Sequence, residues 1–131
     1  MTGLDTNVVV RYLAQDDPRQ SAAATRLFEH ALSPEDPGFV SAIVLCELAW
    51  VLAECYDADR ARIRGAIEGL LASRQIAVEA PDTVRRALRA WADSGADFAD
   101  ALIGEVAKAS GASQTVTFDR AAAKLAGFEL L

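Results

Sequence analysis

The chain has little of what most transition-metal and redox sites are built from: one histidine, His30, and two cysteines, Cys46 and Cys55, in 131 residues. A lone histidine among ordinary helix-forming residues supports neither a zinc site nor a Cys–His dyad, and reads as a surface or packing residue. The cysteines fall in one helical-looking stretch, nine positions apart. That spacing rises roughly 13 Å in a helix, which is beyond disulfide reach, so they read as buried thiols of a cytoplasmic protein. Lysine occurs only at positions 108 and 124, and the net charge is −6. Such a surface lacks the basic excess that binds nucleic acid by counterion release. It does not exclude nucleic-acid chemistry at an acidic site, where a bound cation reverses the local potential. Glu47 and Glu54 interrupt the longest apolar run, so no membrane-spanning stretch is expected. Met1-Thr2-Gly3-Leu4-Asp5 shows neither the basic nor the apolar region of a signal peptide.

What is present is an apolar fraction of 52% against 24% charged residues, a globular balance with a slight apolar surplus. In a small domain that surplus goes either into Ala-rich helices or into a partner interface. The length fits a single domain, residues 1–131. Short strands are expected at Thr2–Leu4, Phe39–Val40, Ile76–Val78, Gln114–Thr117 and Phe128–Leu131. Helices are expected at Asn7–Ala14, Pro18–Leu32 and Ala42–Tyr56, the last capped by Ser41. Further helices should run from Asp59 to Ser73, over Thr83–Asp93 with Asp82 as cap, over Phe98–Ser110 between Asp97 and Gly111, and over Arg120–Ala126. Strands alternating with helices predict an α/β fold: three layers, α/β/α, around a central, mainly parallel sheet of four to five short strands.

Ligands of open parallel sheets bind beyond the carboxyl ends of the strands. Asp5 follows the first strand, Asp119 follows the fourth after one spacer, Asp100 opens a helix, and Glu47 lies in the second turn of the helix that leaves the second strand. All four are therefore expected at one end of the sheet. Each aspartate is also explicable as a helix cap, and Asp97 with Asp100 has the spacing of an acidic capping box. Glu47 is flanked by Ala-Ile-Val-Leu-Cys and Leu-Ala-Trp-Val-Leu, which predicts a buried carboxylate needing a cation or a remote arginine. Oxygen-only ligands select Mg²⁺ or Mn²⁺, and such a site suits phosphoryl chemistry.

Gly3-Leu4-Asp5-Thr6-Asn7-Val8 resembles the opening motif of PIN-domain proteins. Arg11-Tyr12-Leu13 with Asp16-Asp17-Pro18 is similar to the continuation found in the VapC toxins of toxin–antitoxin pairs. Ser41 with Glu47, the stretch from Asp97-Phe98-Ala99-Asp100 to Ile103, and Thr117-Phe118-Asp119 follow that family's later motifs in order. The resemblance implies a PIN-like ribonuclease toxin that uses Mg²⁺ or Mn²⁺ to cleave structured RNA and is silenced by a cognate, VapB-like antitoxin, with a homodimer as the expected assembly. It implies Asp5, Glu47, Asp100 and Asp119 as the metal-binding and catalytic acids. Thr6 and Thr117 would be supporting hydroxyls, and Asp97 a helix cap with an outer contribution. Substrate contacts would fall to loops and to arginines such as Arg11, Arg60, Arg62, Arg64, Arg85 and Arg86.

Other acidic folds fit less well. A phosphoacceptor receiver domain needs an acceptor aspartate closing a middle strand and a lysine after a late one; Lys108 and Lys124 instead lie in expected helices. An Asp-x-Asp phosphatase is excluded because Thr6 and Asn7 follow Asp5. A two-carboxylate glycosidase would leave two acids without a role. The remaining rival is a catalytically silent PIN fold acting as a binding or scaffold module.

Overall fold

Asp17, Ser41 and Asp59 each start a helix by chemistry visible in the sequence. Their side-chain oxygens accept backbone N–H groups of the first turn: from Arg19 and Gln20, from Val44 and from Arg62. The computed structural model describes residues Met1–Leu131 and divides into two compact units, Met1–Glu79 and Ala80–Leu131.

The first unit runs β1 (Thr2–Gly3), α1 (Thr6–Ala14), α2 (Pro18–Arg26, continuing as a wide π-turn over Leu27–Ala31), β2 (Gly38–Val40), α3 (Ala42–Tyr56), α4 (Arg60–Ala72) and β3 (Ile76–Val78). Its three strands are parallel in the order β1-β2-β3, with Gly38 opposite Thr2 and Ile76. Helix α1 packs on α2 and α3, and α4 on α3 and β3. A Cβ on Gly38 would stand 2.7 Å from Leu4 Cδ1 and 2.8 Å from Leu32 Cδ1, so the middle strand needs glycine to let these buried leucines close over it. In α3 the buried positions are Val44, Leu45, Leu48, Ala49 and Leu52, a single stripe at helical spacing. Leu45 and Leu48, the fully buried members, each contribute roughly 1.5–3 kcal/mol.

The second unit runs α5 (Pro81–Ala92), α6 (Phe98–Ala109), β4 (Thr115–Thr117), a 3₁₀ turn (Ala122–Lys124) and β5 (Phe128–Leu130). Strands β4 and β5 are parallel, and α5 packs against α6. Thr83, Val84, Ala87, Leu88 and Trp91 form the buried stripe of α5, and the Trp91 ring meets Phe98 edge-on at 5.7 Å. Helix α6 ends at Gly111, whose φ of +99° is ordinary only for glycine. A Cβ on Gly104 would fall inside contact distance of Phe128 Cε1, so that glycine admits the ring to the helix.

Several expectations need correction. Asp82 is not the cap of α5; Ala80, in the left-handed region at φ 44°, precedes Pro81 in the first helical position, and Asp82 pairs with Arg85 at 3.2 Å instead. The helix expected over Arg120–Ala126 shrinks to one 3₁₀ turn, because seven residues are too few to repay helix nucleation. The cysteines are free, as the spacing required, but they are not buried: Cys46 is half-buried and Cys55 exposed. The five strands appear as expected in number and direction, three in the first unit and two in the second. No helix is long and apolar enough to cross a membrane.

Candidate active site

In the first unit the site begins where β1 gives way to α1. Asp5 occupies the N-cap position with extended backbone, yet its carboxylate makes no capping bond. Both its oxygens are left free beside the positive end of the helix. The next residue, Thr6, is buried, and a buried hydroxyl requires a partner. It donates to Glu47 Oε1 at 2.6 Å, tying the start of α1 to the second turn of α3. Asp5, Thr6, Asn7, Cys46, Glu47, Trp50 and Val51 line one open cleft of about 550 Å³.

Glu47 corrects the burial argument made from its neighbours. It is exposed, because α3 is not apolar all round: Ile43, Glu47, Trp50 and Glu54 form a solvent-facing stripe opposite the buried one. The apolar flanks that made Glu47 look buried are divided between these two faces. No desolvation penalty therefore calls for a cation at Glu47. What the geometry gives instead is a carboxylate held by one hydrogen bond, with its second oxygen available.

In the second unit three acids gather around the start of α6 and the end of β4. Asp97 is the N-cap of α6, and its backbone N–H donates to Asp100 Oδ2 at 3.3 Å, in the capping-box arrangement. Asp119 stands in a tight turn: its N–H donates to Thr117 Oγ1 at 3.0 Å, and its Oδ1 accepts from Ala121 N–H at 2.8 Å and Ala122 N–H at 3.0 Å. The cap explanation is thus half true of Asp119. One oxygen caps the 3₁₀ turn and the other does not. Burial pushes the Asp100 carboxyl above its ordinary value, the Asp97 N–H opposes this, and the charges of Asp97 and Asp119 raise it further.

These features bear on whether a divalent cation fits. In neither unit do three His, Cys, Asp or Glu side chains by themselves stand in ion-holding geometry. Within each unit the donors are nevertheless of the kind a hard cation takes: Asp5 and Glu47 in the first, and Asp100 and Asp119 in the second, are all oxygen donors that each keep at least one carboxylate oxygen out of protein hydrogen bonds. Burial chiefly raises Asp100, and a cation would relieve the smaller share that comes from the charges of Asp97 and Asp119.

The arginines expected to serve a substrate are mostly engaged locally. Arg11 Nε donates to Gln20 at 2.7 Å, and its Nη1 reaches the Tyr56 hydroxyl at 3.0 Å and Asp16 at 3.4 Å. Arg64 pairs with Glu68, and Arg86 with Glu105. Sequence reasoning missed Trp50, although its place three residues after Glu47 puts it on the same helical face.

The sequence matches the PIN-domain family over residues 4–128, a span that runs through both units. It is also similar to a VapC ribonuclease of Aquifex aeolicus (strain VF5), with 28% identity over 126 residues, covering 96% of this chain and 92% of the relative.

Proposed function

Because the chain belongs to the PIN-domain family, we propose that it is a metal-dependent endoribonuclease of the VapC type, the toxin of a toxin–antitoxin pair. The family match and the relative's ribonuclease name support a nuclease of this class. The metal, the RNA substrate and the antitoxin are our reading. The observation that carries it is the first unit's cleft, where Asp5 stands uncapped at the start of α1 beside Glu47, which Thr6 holds at 2.6 Å. A purely structural cap would use its carboxylate on the first turn of the helix, and Asp5 does not.

On this reading Asp5 and Glu47 in the first unit, and Asp100 and Asp119 in the second, are the metal-binding and catalytic acids, and both units are parts of one domain. Mg²⁺ or Mn²⁺, when bound, supplies an activated water and charge stabilisation for phosphodiester hydrolysis. Thr6 fixes the rotamer of Glu47 through its 2.6 Å bond. Thr117 fixes the turn that presents Asp119. Asp97 holds Asp100 through its backbone and contributes negative charge from outside.

A VapB-like antitoxin and a second copy of the chain are the proposed protein partners, acting in the cytoplasm. Exposed Ile43, Ile103, Val106 and Leu130 supply apolar surface of the kind such partners cover. The test is RNA cleavage by antitoxin-free protein in Mg²⁺ or Mn²⁺, with EDTA and the Asp5→Asn variant as controls. Cleavage that persists in EDTA would refute the metal mechanism. No cleavage by folded protein in either metal would favour a silent binding module.

A further inference from the structure

The chain has nine aromatic side chains, and only Trp50 and Phe118 are exposed, at 62% and 80%. Each stands beside a carboxylate of the candidate site. Trp50 lies one helical turn past Glu47 and lines the same cleft as Asp5 and Glu47. Phe118 directly precedes Asp119, in a turn pinned by the Thr117 hydroxyl on one side and by the N–H groups of Ala121 and Ala122 on the other. The other seven aromatics are buried or half-buried, as their size favours.

An acidic nuclease site has a particular difficulty with its substrate. The lining of the first unit's cleft contains Asp5 and Glu47 and no lysine or arginine, and the chain carries a net charge of −6. No protein cation in that lining is available to hold a phosphate. A hold that uses no charge remains open to it. Aromatic faces stack on unpaired bases, and every base has such a face, so the contact tolerates any sequence. The exposed aliphatic side chains, Ile103, Val106 and Leu130 among them, cannot make it.

We propose that Trp50 in the first unit and Phe118 in the second are each a stacking platform for an unpaired base of the RNA substrate. This rests on the nuclease reading above. Duplex RNA keeps its bases stacked on one another and offers the rings nothing.

The test uses the full chain and a short unpaired RNA of mixed sequence. In Mg²⁺, Trp50→Ala and Phe118→Ala are each expected to raise KM roughly 5- to 150-fold, with kcat within about threefold of the parent. Trp50→Phe and Phe118→Tyr keep an aromatic face and stay within about threefold, whereas Trp50→Leu, apolar but flat-faced nowhere, behaves as Trp50→Ala. In EDTA, where nothing is cut, the RNA quenches the indole emission of the parent but not of Trp50→Phe, which retains only Trp91.

An unchanged KM in both alanine variants overturns the proposal, as does equal quenching in Trp50→Phe. So does a Trp50→Leu protein with parental KM while Trp50→Ala sediments as a smaller species; Trp50 would then be a protein interface. If the parent cuts no RNA, the nuclease reading fails and the EDTA titration alone decides: quenching specific to Trp50 upholds stacking, and its absence overturns it.

Discussion

Asp119→Asn exchanges one carboxylate oxygen for an amide nitrogen in a turn whose hydrogen bonds the new side chain can still make. Asp119 Oδ1 accepts from Ala121 and Ala122, and asparagine caps a helical turn about as well as aspartate. Loss of capping therefore costs little, against roughly 0.5–2 kcal/mol for Asp119→Ala. What does change is charge. Burial chiefly raises the Asp100 carboxyl and the charge of Asp119 adds a smaller share, so removing that charge should make the metal-free protein slightly more stable at neutral pH. The metal response should move the other way. A cation at a hundred times its Kd stabilises the folded state by about 2.7 kcal/mol. For a chain of this length that raises Tm by roughly 10 °C. The assay is thermal melting of parent and variant, each in EDTA and in excess Mg²⁺. The expected result is a higher Tm for Asp119→Asn in EDTA and a metal-induced rise confined to the parent. Indifference of the parent to metal would refute the acidic site outright. A full metal response in Asp119→Asn would show that Asp119 is a cap and nothing more.

Glu47→Gln should abolish cleavage while changing stability by less than about 0.5 kcal/mol, since Glu47 is exposed; a variant that unfolds would contradict the placement. Thr6→Val leaves Glu47 without its 2.6 Å donor, so activity should fall with the fold retained, as followed by kcat and circular dichroism. The raised Asp100 carboxyl disfavours its ionised form in the folded chain, so the unfolded state loses that proton first; metal-free stability should fall as pH rises from 3.8 through the raised folded value, and Asp100→Asn should flatten that slope in urea titrations. Asp16, lowered chiefly by the Tyr56 hydroxyl, acts in a separate window below 3.8, where stability is lost as pH falls. Gly104→Ala would drive a methyl into Phe128 and should cost about 1–3 kcal/mol in chemical denaturation; a neutral result would refute the close helix–ring approach.

The elements that could be read from the sequence are those whose start is written in local chemistry. Ser41 and Asp59 cap where their hydrogen-bonding type says they should, and α3 and β3 have the expected limits. The α/β class followed from alternation alone. Element ends decided by backbone detail did not follow: nothing local reveals that Ala80 takes a left-handed conformation ahead of Pro81, or that α2 widens into a π-turn at Leu27.

The site residues divide along the same line. Thr6 and Asp119 lie at junctions between strand and helix, and Asp100 in the first turn of α6, where position in sequence fixes position in space. Glu47 and Trp50 lie inside a helix, where what matters is which face a residue occupies, and a helix that is apolar in most positions does not declare its exposed face. Ile43, Glu47, Trp50 and Glu54 recur at the spacing of one stripe, but so do Leu45, Leu48 and Leu52. Only the packing of α1 and α4 against α3 decides which stripe meets the core. The same decision exposes an indole beside a carboxylate. A tryptophan that composition assigns to the core thereby becomes a candidate for contact with substrate.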